Sequence, residues 1–462
     1  MDTTVVIKSF SSLFKYLEFR EHKIERTQLM VINGEPVSPV LSKSEGYSVR
    51  AFDGNSIFFT SSHNISDLNP TSLKVKRGWE KGVDGSKRES GSYEVEEKIK
   101  LSDVPIDAKI KELVELSKHI YSLNLKSKIL SVNLYYSESV ENKRIVFETG
   151  EEVKGRIPRV RLFYSITMKY GDRSVTISQD ELGNSGGYEV FKNWNLISFF
   201  EEKLKSVDEV LVKGKGVSPG RRDVVLSSML TGIIAHESVG HPFEADRVLG
   251  RESAQAGLSY LVGRNIGEKI GSEAVTVIDD PTIYGTLGYY TIDDEGVRAR
   301  AKYLIKEGVI NELLQDRFSA YKFGVMSNAS ARASAFDREP LVRMSNTFFK
   351  PGNYSFEELV EDIKDGVYFK SYMEWNIDDL RVGERYVGLE AYEIKSGEIG
   401  EPLLFPVLET TTFELLSKVD AVDNTLKLYP GTCGKGDPDQ PLPVSLGGPN
   451  MRARDISIKV RE

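Results

Sequence analysis

At 462 residues, with 40% apolar and 28% charged side chains, the chain exceeds what one hydrophobic core organises, and two or three domains are expected. Its formal charge of −8 argues against a general phosphate-binding surface, and so against a nucleic-acid partner. No run approaches about 18 consecutive apolar residues, MDTTVVIKSF carries no secretory signal, and a lone cysteine forms no internal disulfide, so a cytoplasmic protein without a membrane partner is expected.

The apolar residues from Ile7 to Phe19 predict a helix. Asn33-Gly34 and Asp53-Gly54 then stand between apolar runs and predict two β-hairpins. From Val75 to Ser92 the composition shifts to Gly, Ser and alternating charge, the pattern of an exposed, mobile connection. A helix is predicted from Pro105 to Leu123, with Ile106, Ile110, Leu113 and Ile120 on one face and Asp103 as its cap. Ser127–Ser137, Arg144–Thr149 and Val160–Tyr170 alternate as antiparallel strands, the last turning at Gly171-Asp172. Leu196–Val207 reads as a helix burying Phe199, Phe200 and Leu204. His22, His63 and His119 each stand alone and read as structural or solvent-facing.

The stretch Lys213–Gly220 is read as the main domain boundary, and the basic segment Gly214–Arg222 as a solvated linker. This divides the chain into an N-terminal α+β domain, 1–212, with lobes at 1–76 and 93–212, and a C-terminal domain, 213–462. The fold class expected is α+β: small antiparallel sheets and helices first, then a mostly antiparallel β domain carrying a buried metal-binding helix.

That helix is read from TGIIAHESVGHPFEADR, Thr231–Arg247. Val225, Met229 and Ile233 share one helical stripe, with Leu226, Leu230 and Ile234 beside it. A buried apolar helix ending in His236-Glu237 suits a metal hydrolase, because neutral imidazole ligates metals and a carboxylate beside the ion deprotonates water. His241 follows five positions after His236, and five positions on a regular helix leave two side chains about 140° apart. A π-type turn or a helix end would bring them together, and Gly240 and Pro242 favour irregular backbone at Val239–His241. A hydrolytic zinc usually has three protein ligands. Glu244, Asp246 and the distant Cys433, in PGTCGKG, are the candidates for the third, and Gly431, Gly434 and Gly436 let that loop approach an ion. The alternative for the motif is a pair of satisfied core histidines beside a salt-bridged glutamate.

Beyond it, VTVIDD, TIDDEG, YLIKEGVINELLQ and YEIKSGEIGEPLLF read as strands and turns. A helix at Phe356–Ile363 carries a Ser355/Glu358 capping box, and Ile456–Val460 is the last strand. No P-loop, GxGxxG after a strand, or GxSxG is present.

Together these segments resemble the TldD/PmbA family of zinc metallopeptidases. TGIIAHESVGHPFEAD matches its H-E-x-x-x-H segment and YPGTCGK its P-G-x-C-G-K loop. Between them IDDEG (Ile292–Gly296), LLQDR (Leu313–Arg317) and RMSNT (Arg343–Thr347) follow in the family's order, with a weaker match at GYSVRAFDG, Gly46–Gly54. The resemblance implies Zn2+ held by His236, His241 and Cys433, with Glu237 as general base on a zinc-bound water. It also implies a peptidase acting on unfolded or extended peptides, assembled as a homodimer or as a heterodimer with a metal-lacking, PmbA-like paralogue. One departure concerns the glycine-rich G-x-G-G-G segment after the family's G-V-Y strand: here GVYFK, Gly366–Lys370, runs into SYMEWNIDD. Arg332, Arg343 or a backbone N–H are candidates for an oxyanion donor. The rival reading is a non-catalytic, zinc-stabilised regulatory or scaffold subunit. The family's older description as modulators of gyrase finds no support in the acidic balance.

Overall fold

A computed structural model describes residues 3–11, 13–77, 82–251 and 258–461. Helix α1 (Thr3–Ser11) precedes β1 (Tyr16–Ile32), so the helix expected over Ile7–Phe19 stops at Ser11. Leu17 and Phe19 alternate as a strand does, pairing with Ala51 and Val49 and packing on Val6 and Phe10 of α1. Long-range pairing thus overrides their helical spacing.

The two hairpins turn where expected. Asn33 and Gly34 both adopt positive φ, 52° and 86°, as a two-residue turn of this kind requires. They join β1 to β2 (Glu35–Phe52), and the Asp53-Gly54 turn leads to β3 (Ile57–Ser62). With β4 (Lys74–Arg77), β5 (Gly91–Glu94), β6 (Lys128–Phe147), β7 (Glu152–Tyr170) and β8 (Arg173–Ser185), these strands form one eight-stranded sheet. The order is β4-β3-β2-β1-β6-β7-β5, with β8 also on β7.

β6 runs straight through the polar stretch where two separate strands were expected. Its charges are buried but partnered: Glu138 takes Lys109 Nζ at 2.7 Å, and Glu141 takes His22 Nε2 at 2.9 Å and Arg159 Nη1 at 2.6 Å. Paired charges can occupy a sheet interior that lone ones cannot. The connection expected to be exposed and mobile is likewise tied down over residues 82–90. Asp84 and Ser86 are buried, Asp84 pairs with Arg317 at 3.3 Å, and Arg88 reaches Glu148 at 2.8 Å. Residues 78–81 of that stretch lie outside the described residues.

Helices α2 (Ile106–Tyr121), α3 (Glu189–Asn193) and α4 (Leu196–Lys213) join this half. Pro105, not Asp103, caps α2, and α4 outruns its expected end because Val210 and Leu211 continue the buried stripe. His119 pairs with Glu201 at 3.1 Å, and the exposed His63 meets the Glu45 carbonyl at 2.7 Å.

The C-terminal half holds a nine-stranded and a six-stranded sheet. β9 (Gly220–Leu226) lies inside the larger one, parallel to Asp365–Phe369 and antiparallel to Met451–Lys459. Val225 and Leu226 therefore belong to a buried strand, and the helix expected to include them begins later, as α5 (Ser228–Ile234). Ile292–Gly296 is a loop rather than a strand: the Asp293 carboxylate accepts from the N–H groups of Glu295, Val297 and Ala331. The Ser355/Glu358 capping box is present on a shorter helix, Phe356–Val360. The last strand starts at Met451, burying Ile456 and Ile458 but leaving Val460 half exposed.

The six-stranded sheet ends with Asn346–Phe349, Leu442–Gly448 and, at its edge, Lys427–Cys433. Helix α5 packs directly on it. A Cβ on Gly232 would stand 2.7 Å from Leu446 Cδ1 and 2.8 Å from the Gly447 backbone, so the helix lies too close to the strand for any side chain at this position. No helix among the described residues is long and apolar enough to cross a membrane.

Candidate metal centre

Beyond Ile234 the helix widens into a π-turn, Ala235–Gly240. The His241 N–H donates to the His236 carbonyl at 3.0 Å, a five-residue closure that makes i and i+5 neighbours. The two imidazoles face each other with centroids 4.9 Å apart. Gly240 is required, because a Cβ there would run into Met344 and stand 3.3 Å from the Ala235 carbonyl. The irregular backbone expected at Val239–His241 is therefore a whole π-turn that begins four residues earlier.

Cys433 ends the edge strand and points back at this turn. One ligand-capable atom from each of His236, His241 and Cys433 lies within 4.8 Å of the others, and Cys433 Sγ stands 3.7 Å from His241 Nε2. All three residues are buried. Glu244 and Asp246 stand behind the ligands rather than among them. Glu244 Oε2 meets His241 Nδ1 at 3.1 Å, which directs Nε2 at Cys433. Glu244 is held in turn by Arg247 at 3.2 Å and Lys435 at 3.4 Å, and Lys435 also takes Asp246 at 2.6 Å. Two residues past the thiol, Lys435 thus locks the cysteine segment to the carboxylate that orients His241.

The donor chemistry fits zinc. Burial alone would raise the Cys433 thiol, but the His241 and Arg343 cations outweigh it and hold it well below the usual thiol range. Burial opposes the His241 imidazolium too, yet Cys433 and Glu244 push it up to about 9. The Nδ1 of His236 is buried with no partner among the described residues. A preformed thiolate and two imidazoles within one ion's reach form a donor set suited to zinc.

Two results follow. Since the metal-free His241 is protonated below about 9, zinc must displace that proton. Binding at pH 7 is expected to release about one proton, with affinity rising about tenfold per pH unit up to that value; calorimetry in buffers of differing ionisation enthalpy reads both. Glu244→Gln is expected to weaken zinc binding by about 10- to 100-fold, the usual effect of removing a partner that orients a metal-bound histidine, as read by chelator competition.

Glu237, next to the first imidazole, lies outside the donor cluster. Its carboxylate is ion-paired with Arg381 Nη1. Arg381 was not singled out in the sequence: it sits 144 residues away, in the turn between Tyr372–Ile377 and Gly383–Gly388, beyond the point where GVYF departs from the glycine-rich pattern. The arginines that were singled out are committed elsewhere. Arg332 donates to the Met344 carbonyl, and Arg343 to the carbonyls of Cys433 and Gln440.

An α+β chain with a two-imidazole, one-thiolate cluster beside a carboxylate falls in the class of metallopeptidases. This chain belongs to the PmbA/TldA metallopeptidase family: residues 17–84 match its domain 1, 99–213 its central domain and 219–460 its C-terminal domain. A metalloprotease of Methanothermobacter thermautotrophicus is 32% identical, covering 98% of this chain and 97% of that one. A metalloprotease of Archaeoglobus fulgidus is 31% identical, covering 95% and 98%. A zinc metalloprotease TldD homolog of Saccharolobus solfataricus is 28% identical, covering 76% of each. The crystal structure of TldE from Thermococcus kodakarensis shares the fold, with a TM-score of 0.77 at 16% identity, covering 98% of this chain and 99% of that one.

Proposed function

We propose that this protein is a zinc-dependent peptidase acting on unfolded or extended peptides, with His236, His241 and Cys433 holding the ion and Glu237 as general base. The convergence of three ligand-capable atoms within 4.8 Å carries the reading. When bound, zinc supplies Lewis acidity that polarises the scissile carbonyl and acidifies the attacking water.

The chain's own residues do the rest. Glu244 fixes the His241 ring so that Nε2 faces the thiolate. Glu237 takes the proton from water on its carboxylate and returns it to the leaving amine. The strand ending in Cys433 is terminal in its sheet, and an extended peptide added there would be read through its main chain rather than its sequence. Only three donors cluster among the described residues, one fewer than a closed structural zinc site uses, which favours catalysis over the scaffold reading.

Domain division at Lys213–Gly220 is part of the proposal, supported by the family matches that end at 213 and resume at 219. So is assembly as a homodimer or with a metal-lacking paralogue. Exposed Ile266, Phe323, Val325 and Met326 gather on one groove, as a protein–protein surface would, and light scattering of the purified chain reads its assembly. The test of function is metal analysis combined with digestion of a disordered peptide. One zinc per chain and cleavage abolished by chelator are expected, whereas undiminished cleavage by the metal-free chain would overturn the reading.

A further inference from the structure

The geometry points to Arg381 as a positioning residue of the hydrolytic site: its guanidinium holds one oxygen of the Glu237 carboxylate, so that the other is presented as proton acceptor to the attacking water. The inference rests on the peptidase reading above and deepens it.

The turn that carries Arg381 is built to aim it. Arg381 has φ 64°, in the left-handed region that side chains other than glycine, asparagine and aspartate seldom enter and that occurs where surrounding structure enforces it. The enforcement is visible on both sides. The Arg381 N–H donates to the Asp378 carbonyl at 3.0 Å, and the Asp378 carboxylate accepts from the N–H groups of Val382 at 2.9 Å and Gly383 at 2.7 Å. The Thr412 hydroxyl donates to the Arg381 carbonyl at 2.8 Å. None of these contacts uses the guanidinium, so the turn fixes the backbone and leaves the side chain to another task.

That task lies at the π-turn. Side-chain exposure is 10% for Arg381 and 13% for Glu237, and Arg381 Nη1 bonds Glu237 Oε2. Among the described residues no other hydrogen-bond or ion-pair partner engages the Glu237 carboxylate, and no neighbour on its own segment orients it. His241 has Glu244, and Cys433 is carried on a paired strand. A rigid, planar guanidinium orients a carboxylate oxygen better than the mobile ammonium of lysine does. A base displaced by about 1 Å costs on the order of 10²-fold in rate, and the loss falls on the chemical step rather than on peptide binding.

The test separates aim from fold. Asparagine accepts left-handed backbone, so R381N keeps the turn and removes the cation. Zinc content and thermal midpoint are expected to match the parent, with kcat down about 10²-fold and KM within about twofold; R381K is expected to recover part of kcat. An R381N enzyme with parental kcat overturns the inference, as does a loss confined to KM. Should R381N lose zinc or melt early, R381Q takes its place under the same criterion. The parent and E237A run alongside: if the parent does not cleave, or E237A cleaves as fast as the parent, the peptidase reading falls and takes this inference with it. A parental R381N beside an inactive E237A overturns only the role of Arg381.

Discussion

Glu237→Ala is expected to retain one zinc per chain while losing peptide hydrolysis by about 10²- to 10⁴-fold, the usual contribution of a general acid–base group. Retention follows from the layout of the centre. The ligand-capable atoms that cluster come from His236, His241 and Cys433, Glu244 with Lys435 stands behind them, and Glu237 belongs to neither set. Loss follows from its position beside His236 on the π-turn. The alanine variant also leaves the guanidinium of Arg381 without its counter-charge, so Glu237→Gln is the companion: it keeps an oxygen for Arg381 but is a far weaker base. Both variants are read by metal analysis and by cleavage of an unstructured peptide. Parental turnover in Glu237→Gln with zinc bound would sink the assigned role.

Cys433→Ser is expected to weaken zinc binding by more than the roughly 10- to 100-fold typical of losing an outer partner, because it removes a donor outright. Its second effect is on stability. The thiolate and His241 are 192 residues apart in sequence, so an ion between them fastens the edge strand to the π-turn. Zinc at about 1,000 times its Kd would stabilise the parent by about 4 kcal/mol. Thermal unfolding with zinc and with chelator should therefore differ markedly for the parent and little for Cys433→Ser. Equal shifts in the two proteins would show that the thiol is no ligand.

What was legible in the sequence was local or carried by resemblance. The five-residue spacing of His236 and His241, with Gly240 between them, demands a non-α turn on geometry alone, and the chain makes one. The Asn33-Gly34 hairpin announced itself in the same way. Cys433 is too far along the chain for spacing to select it over Glu244 or Asp246, and only its likeness to a family loop did so. Val225 and Leu226 belong to the strand because helical spacing carries their stripe on to Met229 and Leu230 across Ser227-Ser228, where the strand ends and Ser227 caps the helix. The charged middle of β6 looked like a break because its compensating partners, Lys109, His22 and Arg159, come from other elements. Arg381 left no sign for the same reason: a cation is informative only once its anion is known, and that anion is 144 residues away.

The contact between Gly232 and Gly447 sets a gauge for the whole centre. At Gly232 the helix leaves no room for a Cβ against Leu446 Cδ1 and the Gly447 main chain, and the clustered side chains hang from the two sides of that contact: the histidines beyond the end of α5, Cys433 on the strand next to Gly447. A Cβ at Gly232 would meet Leu446 Cδ1 at 2.7 Å and the Gly447 main chain at 2.8 Å, so Gly232→Ala is expected to shift helix against strand without touching His236, His241 or Cys433. The spacing of the cluster is thus expected to depend on two residues that carry no functional group at all.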